Sequence, residues 1–160
     1  MNAIQQLTSL RQSLWLDQIT RDLLDSGGLA RYLRDFGITG LTSNPTIFDG
    51  AIGGGSAYDA DIRRLSLAGK SGEEIFLDLE LADLRRAADL FRPAHDATQG
   101  VDGWVSLELS PLLSADTKGS IAASERIFRE AGRQNLFIKI PGTPAGVPAI
   151  EPTRAATRMS

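Results

Sequence analysis

Apolar positions along the chain switch between two spacings. Residues 22–36 place Leu23, Leu24, Ala30, Leu33 and Phe36 at intervals that share one helical face. Gly27-Gly28 interrupts that pattern and predicts a split or kink, and Gly37 predicts its end. Ile4, Leu7 and Leu10 predict a short opening helix, and residues 58–67, 72–92 and 117–131 predict three more. Ser71 followed by Glu74 reads as a helix start in which each caps the other. Ser114 or Asp116 and then Gly132 bracket the helix at 117–131. Short runs rich in β-branched and aromatic residues lie between, at 13–17, 40–45, 102–109 and 136–140. The first is Leu14-Trp15-Leu16-Asp17, and the second ends at Pro45. Residues 50–56 read as a glycine-rich loop. Strands alternating with helices predict a parallel sheet with helical crossovers.

Each predicted strand carries a polar residue near its C-terminal end: Asp17, Asn44, Glu108 and Lys139. Side chains two apart on a strand share a face. Leu14 and Leu16 therefore lie opposite Asp17, and Leu107 and Leu109 opposite Glu108. Ile138 and Ile140 lie opposite Lys139. The apolar face suits a layer of helices, and the polar face suits a barrel interior open at its C-terminal mouth. The fold class expected is α/β, of the (β/α)8 type, with about the first four β/α units present. A doubly wound sheet also places sites at strand ends, but it favours a glycine-rich turn after the first strand. Here that strand runs into Gln18-Ile19-Thr20-Arg21. Gly53-Gly54-Gly55-Ser56 lacks the following lysine of a phosphate-binding loop, and reads as a connection.

Composition narrows the chemistry. Of 160 residues, 42% are hydrophobic and 23% charged, with a net charge of −3, which fits a globular domain. No basic stripe points to nucleic acid, and no apolar run approaches membrane-spanning length. The residues at 1–13 lack the pattern of a secretion signal, so a cytoplasmic protein is expected. With no cysteine and a single histidine, His95, thiolate and histidine metal sites are excluded. His95 reads as a surface or helix-end residue. Carboxylates, hydroxyls, amides and one lysine remain. Lys139 is one of three lysines against fourteen arginines. Its β-branched neighbours predict loss of water, which disfavours the ammonium form and turns the amine into a nucleophile. The alternatives are an edge lysine that blocks strand pairing, or a structural ion-pair network with the carboxylates.

Four segments carry a family resemblance. Thr42-Ser43-Asn44-Pro45-Thr46-Ile47-Phe48 resembles the strand-two signature of transaldolases. The run from Asn135 through Lys139-Ile140-Pro141-Gly142-Thr143 to Ile150 resembles their Schiff-base lysine signature. Leu14-Trp15-Leu16-Asp17 and Val105-Ser106-Leu107-Glu108 fit strands one and three. The resemblance implies a (β/α)8 barrel that uses no metal or organic cofactor and takes sugar phosphates as partners. It implies transfer of a dihydroxyacetone unit from sedoheptulose 7-phosphate to glyceraldehyde 3-phosphate. It implies that Lys139 forms the Schiff base and Asp17 moves the proton of the sugar hydroxyl. Glu108 then works with water on the imine, and Asn44 holds the three-carbon unit.

The resemblance covers about residues 4–151 and implies a domain at 1–151, the N-terminal half of such a barrel. The tail at 152–160 is expected to depart from it, because Pro152 interrupts the helix due after Pro148, as in a truncated or frame-slipped product. Two further readings stand beside the transferase. One is a non-catalytic or partner-binding fragment that self-associates through exposed half-barrel edges. The other is an aldolase of the fructose 6-phosphate type, which releases the three-carbon unit to water.

Overall fold

The computed structural model describes residues 3–157. The chain opens with α1 (Ala3–Ser9) and continues through β1 (Trp15–Leu16), α2 (Arg21–Asp25) and α3 (Gly28–Phe36). Next come β2 (Gly40–Thr42), α4 (Pro45–Gly53), α5 (Asp59–Leu67) and α6 (Gly72–Ala97). It then runs through β3 (Trp104–Glu108), a 3-10 turn (Pro111–Leu113), α7 (Thr117–Ala131), β4 (Leu136–Lys139) and α8 (Val147–Thr157). The four strands are parallel and in the order β1-β2-β3-β4. Sequential parallel order with helical crossovers is the arrangement of a β/α barrel, here four units of it.

One face of the sheet makes the core. Leu41, Val105, Leu107, Leu109 and Leu136 are buried beneath Leu84, Ala87, Ala88, Phe91 and Ile127 of α6 and α7. The opposite face is open: Trp15 is 41% exposed and Phe137 44%. Among the described residues, β1 and β4 are edge strands.

Local signals account for most element ends. The helical stretch at 22–36 is split at Gly27, whose φ of 70° favours glycine. The Ser71–Glu74 capping box is formed, and α7 is capped by Asp116, which accepts from the Gly119 amide at 2.9 Å. Phe36, expected inside, is 45% exposed, while Leu29, two turns away, is fully buried.

Three stretches depart from the sequence expectation. Pro45 does not merely end β2; it opens α4, where a missing N–H costs nothing, so the glycine-rich loop shrinks to the turn after Gly53. α6 runs through Pro93 to Ala97. The break expected at Pro152 does not occur either, and α8 continues to Thr157. Packing against α7 holds it: Ala149 is fully buried, and Thr153 is 5% exposed with its hydroxyl donating to the Ala149 carbonyl at 2.8 Å. Tertiary contact outweighs the one lost backbone bond.

A buried polar knot joins α2, α5 and α6. Arg21 Nε donates to Asp83 Oδ1 at 3.0 Å, and Tyr58 Oη donates to Asp83 Oδ2 at 2.8 Å. The Tyr58 hydroxyl in turn accepts from the Arg21 amide at 2.8 Å. Burial pushes the Asp83 carboxyl and the Tyr58 phenol up from their ordinary values.

Candidate active site

Register brings two of the four sequence candidates together. Glu108 and Lys139 are cross-strand partners on β3 and β4, and their side chains project from the same, open face. Lys139 Nζ donates to Glu108 Oε1 in an ion pair. The expected desolvation of Lys139 is not found: its side chain is 55% exposed, against 28% for Glu108. Strand alternation explains the difference. Ile138 and Ile140 pack on the helix side, so they cannot take water from a side chain on the other side.

Asn44 and Asp17 sit at the same end of the sheet. Asn44 is half-buried and caps α4, its Oδ1 accepting from the amides of Thr46 at 3.1 Å and Ile47 at 3.3 Å. The cap uses the carbonyl oxygen and leaves the NH2 group as a donor. Asp17 follows β1 directly and is exposed. Among the described residues no ion pair or hydrogen bond joins either to the Lys139–Glu108 pair. Asp17 lies three strand spacings from Lys139, roughly 14 Å along a flat sheet and less once the sheet curls.

The structure adds residues that the sequence reading missed. Ser43 is fully buried, and its hydroxyl accepts from the Glu108 amide at 3.2 Å. The same hydroxyl sits beside Glu80 of α6, a carboxyl only 3% exposed, and favours its ionised form. Burial pushes Glu80 up to about 7; the nearby Glu108 adds to the rise and Ser43 opposes it. A signal for Glu80 existed: it occupies the apolar stripe of α6 that contains Leu77, Leu84 and Phe91.

Below the mouth, on the open face, Phe137 stacks on Trp104 with ring centroids 3.9 Å apart, and the Trp15 ring lies nearly parallel to it at 6.5 Å. Gly40 makes room for the Trp15 indole, since a Cβ there would lie 2.4 Å from Trp15 Cε2. His95, expected at the surface or at a helix end, lies in the last turn of α6; its side chain is only 16% exposed, with its ring edge-on to Trp104 at 4.7 Å.

Four parallel β/α units, with a lysine, two carboxylates and an amide at the C-terminal strand ends, define a β/α-barrel protein with a lysine-centred mouth. Residues 14–157 match the transaldolase/fructose-6-phosphate aldolase family. The chain is 44% identical over 150 residues to transaldolase 2 of Nostoc punctiforme, covering 94% of this chain and 39% of that protein. It is 43% identical over 149 residues to the transaldolase of Trichodesmium erythraeum, covering 93% and 39%. With the transaldolase of Thermobifida fusca the identity is 45% over 147 residues, covering 92% and 40%. The chain belongs to the transaldolase/fructose-6-phosphate aldolase family. It spans about 40% of the length of these relatives. No helix among the described residues is long and apolar enough to cross a membrane.

Proposed function

We propose that this chain carries the Schiff-base portion of a transaldolase site, with Lys139 as the nucleophile. The observation that carries this reading is the in-register pairing of Lys139 with Glu108 on the open face. A carboxylate in contact with Nζ can take the proton that the ammonium must lose. The free amine then adds to the ketose carbonyl carbon, and loss of water from the adduct gives a protonated imine. Glu108 returns the proton to the departing hydroxyl. Asp17 then takes the proton of the sugar hydroxyl as the adjacent carbon–carbon bond breaks, and the electron pair moves into the imine. The Asn44 amide donates to the retained three-carbon unit. Readdition to an acceptor aldehyde reverses the sequence and completes transfer from sedoheptulose 7-phosphate to glyceraldehyde 3-phosphate. Sugar phosphates as substrates, the pentose phosphate pathway and a cytoplasmic setting follow from this reading.

The test is borohydride trapping in the presence of fructose 6-phosphate. A reduced adduct mapped to Lys139 by peptide mass spectrometry is expected. Its appearance on Lys70 or Lys118 instead, or its absence from a folded sample, refutes the assignment.

The exposure of Trp15 and Phe137 and the unpaired edges of β1 and β4 favour a second reading, a non-catalytic fragment that associates through its open face. Size-exclusion chromatography beside a transfer assay separates the two. An associated, inactive sample supports the second reading, and a monodisperse monomer turning over at ordinary enzymatic rates refutes it.

A further inference from the structure

Behind the Lys139–Glu108 pair, on the helix side of β3, a cleft of about 720 Å3 opens between α4, α6, α7 and the 3-10 turn. That volume suits a small organic molecule. Its walls are mainly apolar, with Phe76, Leu107, Leu109 and Ile127 among them. Its charges are unbalanced. Asp49 of α4 and Glu73 and Glu80 of α6 line it, and the charge of Glu108 on the other face of β3 acts on Glu80, against Arg126 of α7, which lies 3.8 Å from Glu130. An anion is disfavoured there, and a cation is favoured.

Glu80 gives the cleft a polar anchor. It is 3% exposed, Ser43 supports its carboxyl, and Oε1 has no hydrogen-bond partner. A buried carboxylate oxygen left without a donor is costly, and a ligand N–H would relieve that cost. Among the described residues no three carboxylates or imidazoles converge to hold a metal ion there. The geometry points to a binding site for an organic monocation with an apolar body, an aryl- or alkylammonium, whose N–H groups meet Glu80 Oε1. This site is independent of the Schiff-base reading, because its ligand touches the helix side of β3 and needs no chemistry at Lys139.

Proton linkage follows. Glu80 binds a cation when ionised, and burial raises its carboxyl to about 7, so the complex weakens as pH falls through that value. The charged groups around it are Asp49, Glu73, Arg126 and, across β3, Glu108.

Isothermal titration calorimetry of the full chain with 2-phenylethylamine tests the site, with neutral 2-phenylethanol and anionic 3-phenylpropionate as controls. At pH 8 the amine should bind at least about tenfold more tightly than either control. At pH 5.5 its affinity should fall by about tenfold or more, as the ionised fraction of Glu80 drops. Glu80→Gln should remove both the preference for the cation and its pH dependence. Ala123→Phe, which fills one wall without touching Glu80, should abolish binding of the amine, with circular dichroism confirming the fold of each variant. Equal affinity for the three probes, or no binding of the amine below about 10 mM, overturns the proposal. So does a cation preference that survives in Glu80→Gln, or amine binding that survives in Ala123→Phe.

Discussion

Replacing Glu80 with glutamine isolates the titration of one buried carboxyl. Burial first, and the charge of Glu108 second, raise its value from 4.5 to about 7, with Ser43 opposing. In the unfolded chain the same carboxyl ionises near its ordinary value. Between these two values the unfolded chain binds fewer protons than the native one, so stability falls as pH rises. The contribution is fully present below 4.5 and is gone above about 7. At about 1.36 kcal/mol for each pH unit between the two values, the loss is about 3 kcal/mol.

Glutamine has the shape of the neutral carboxyl and does not titrate. The stability of Glu80→Gln relative to the parent chain should therefore rise by about 3 kcal/mol between pH 4.5 and pH 8. Any cost of seating the amide NH2 is the same at every pH and leaves the slope unchanged. Urea unfolding followed by tryptophan fluorescence and circular dichroism measures the difference. The difference is the quantity to read, because arginine partners hold Asp61 and Asp89 below their ordinary values and acid destabilises both proteins alike. A difference that stays flat across this range, or runs the other way, refutes the account of Glu80 as a carboxyl kept neutral by burial.

Three further substitutions probe the mouth and the aromatic stack below it. Glu108→Gln breaks an open ion pair, so it should change stability by less than about 1 kcal/mol. It should also slow borohydride-trapped adduct formation with fructose 6-phosphate by roughly 10²–10⁴-fold, followed by intact mass against time. Asn44→Ala removes the cap of α4 and should cost about 1 kcal/mol in thermal or urea unfolding. Gly40→Ala pushes a methyl into the Trp15 indole, and should cost about 1–3 kcal/mol and red-shift the tryptophan emission as the ring swings into water.

The strands and their order were legible because each carries its own alternation, and a strand-to-helix rhythm permits few topologies. Asp17, Glu108 and Lys139 stood out as candidates for the same reason, as polar positions opposite apolar ones, and Asn44 as a polar residue before the proline that ends its run. What the chain's pattern could not convey was solvent. Lys139 lies among isoleucines in sequence, yet those isoleucines dry only the face it does not share. The helices through Pro93 and Pro152 escaped prediction because packing on neighbours, not local propensity, decides them. Glu80 and Ser43 were obscured in a different way. The place of Glu80 on the apolar stripe of α6 marks it as buried, but nothing in the pattern pairs it with Ser43, and their contact spans two elements far apart in sequence. The aromatic stack of Trp15, Trp104 and Phe137 draws on three strands, so it exists only once the sheet has formed.

The pairing at the mouth depends on a residue at the opposite end of its strand. Asn135, just before β4, is fully buried, and its Nδ2 donates to the carbonyls of Ala88 at 2.9 Å and Gly103 at 3.0 Å. Its own carbonyl accepts from the Val105 amide at 3.0 Å, while Oδ1 has no partner. A buried amide with one unsatisfied oxygen is a poor device for stability alone, since an apolar side chain would avoid that cost. It is a good device for register. The two bonds tie the start of β4 both to α6 and to the residue before β3, so they fix how far β4 is advanced along β3. A slip of one residue would turn Lys139 to the helix side and put Ile138 or Ile140 in the mouth. Leu107 and Leu136 favour one face for each strand, but faces alone leave slips of two residues open. Asn135 closes that freedom, and the meeting of Glu108 with Lys139 four residues further on follows from it.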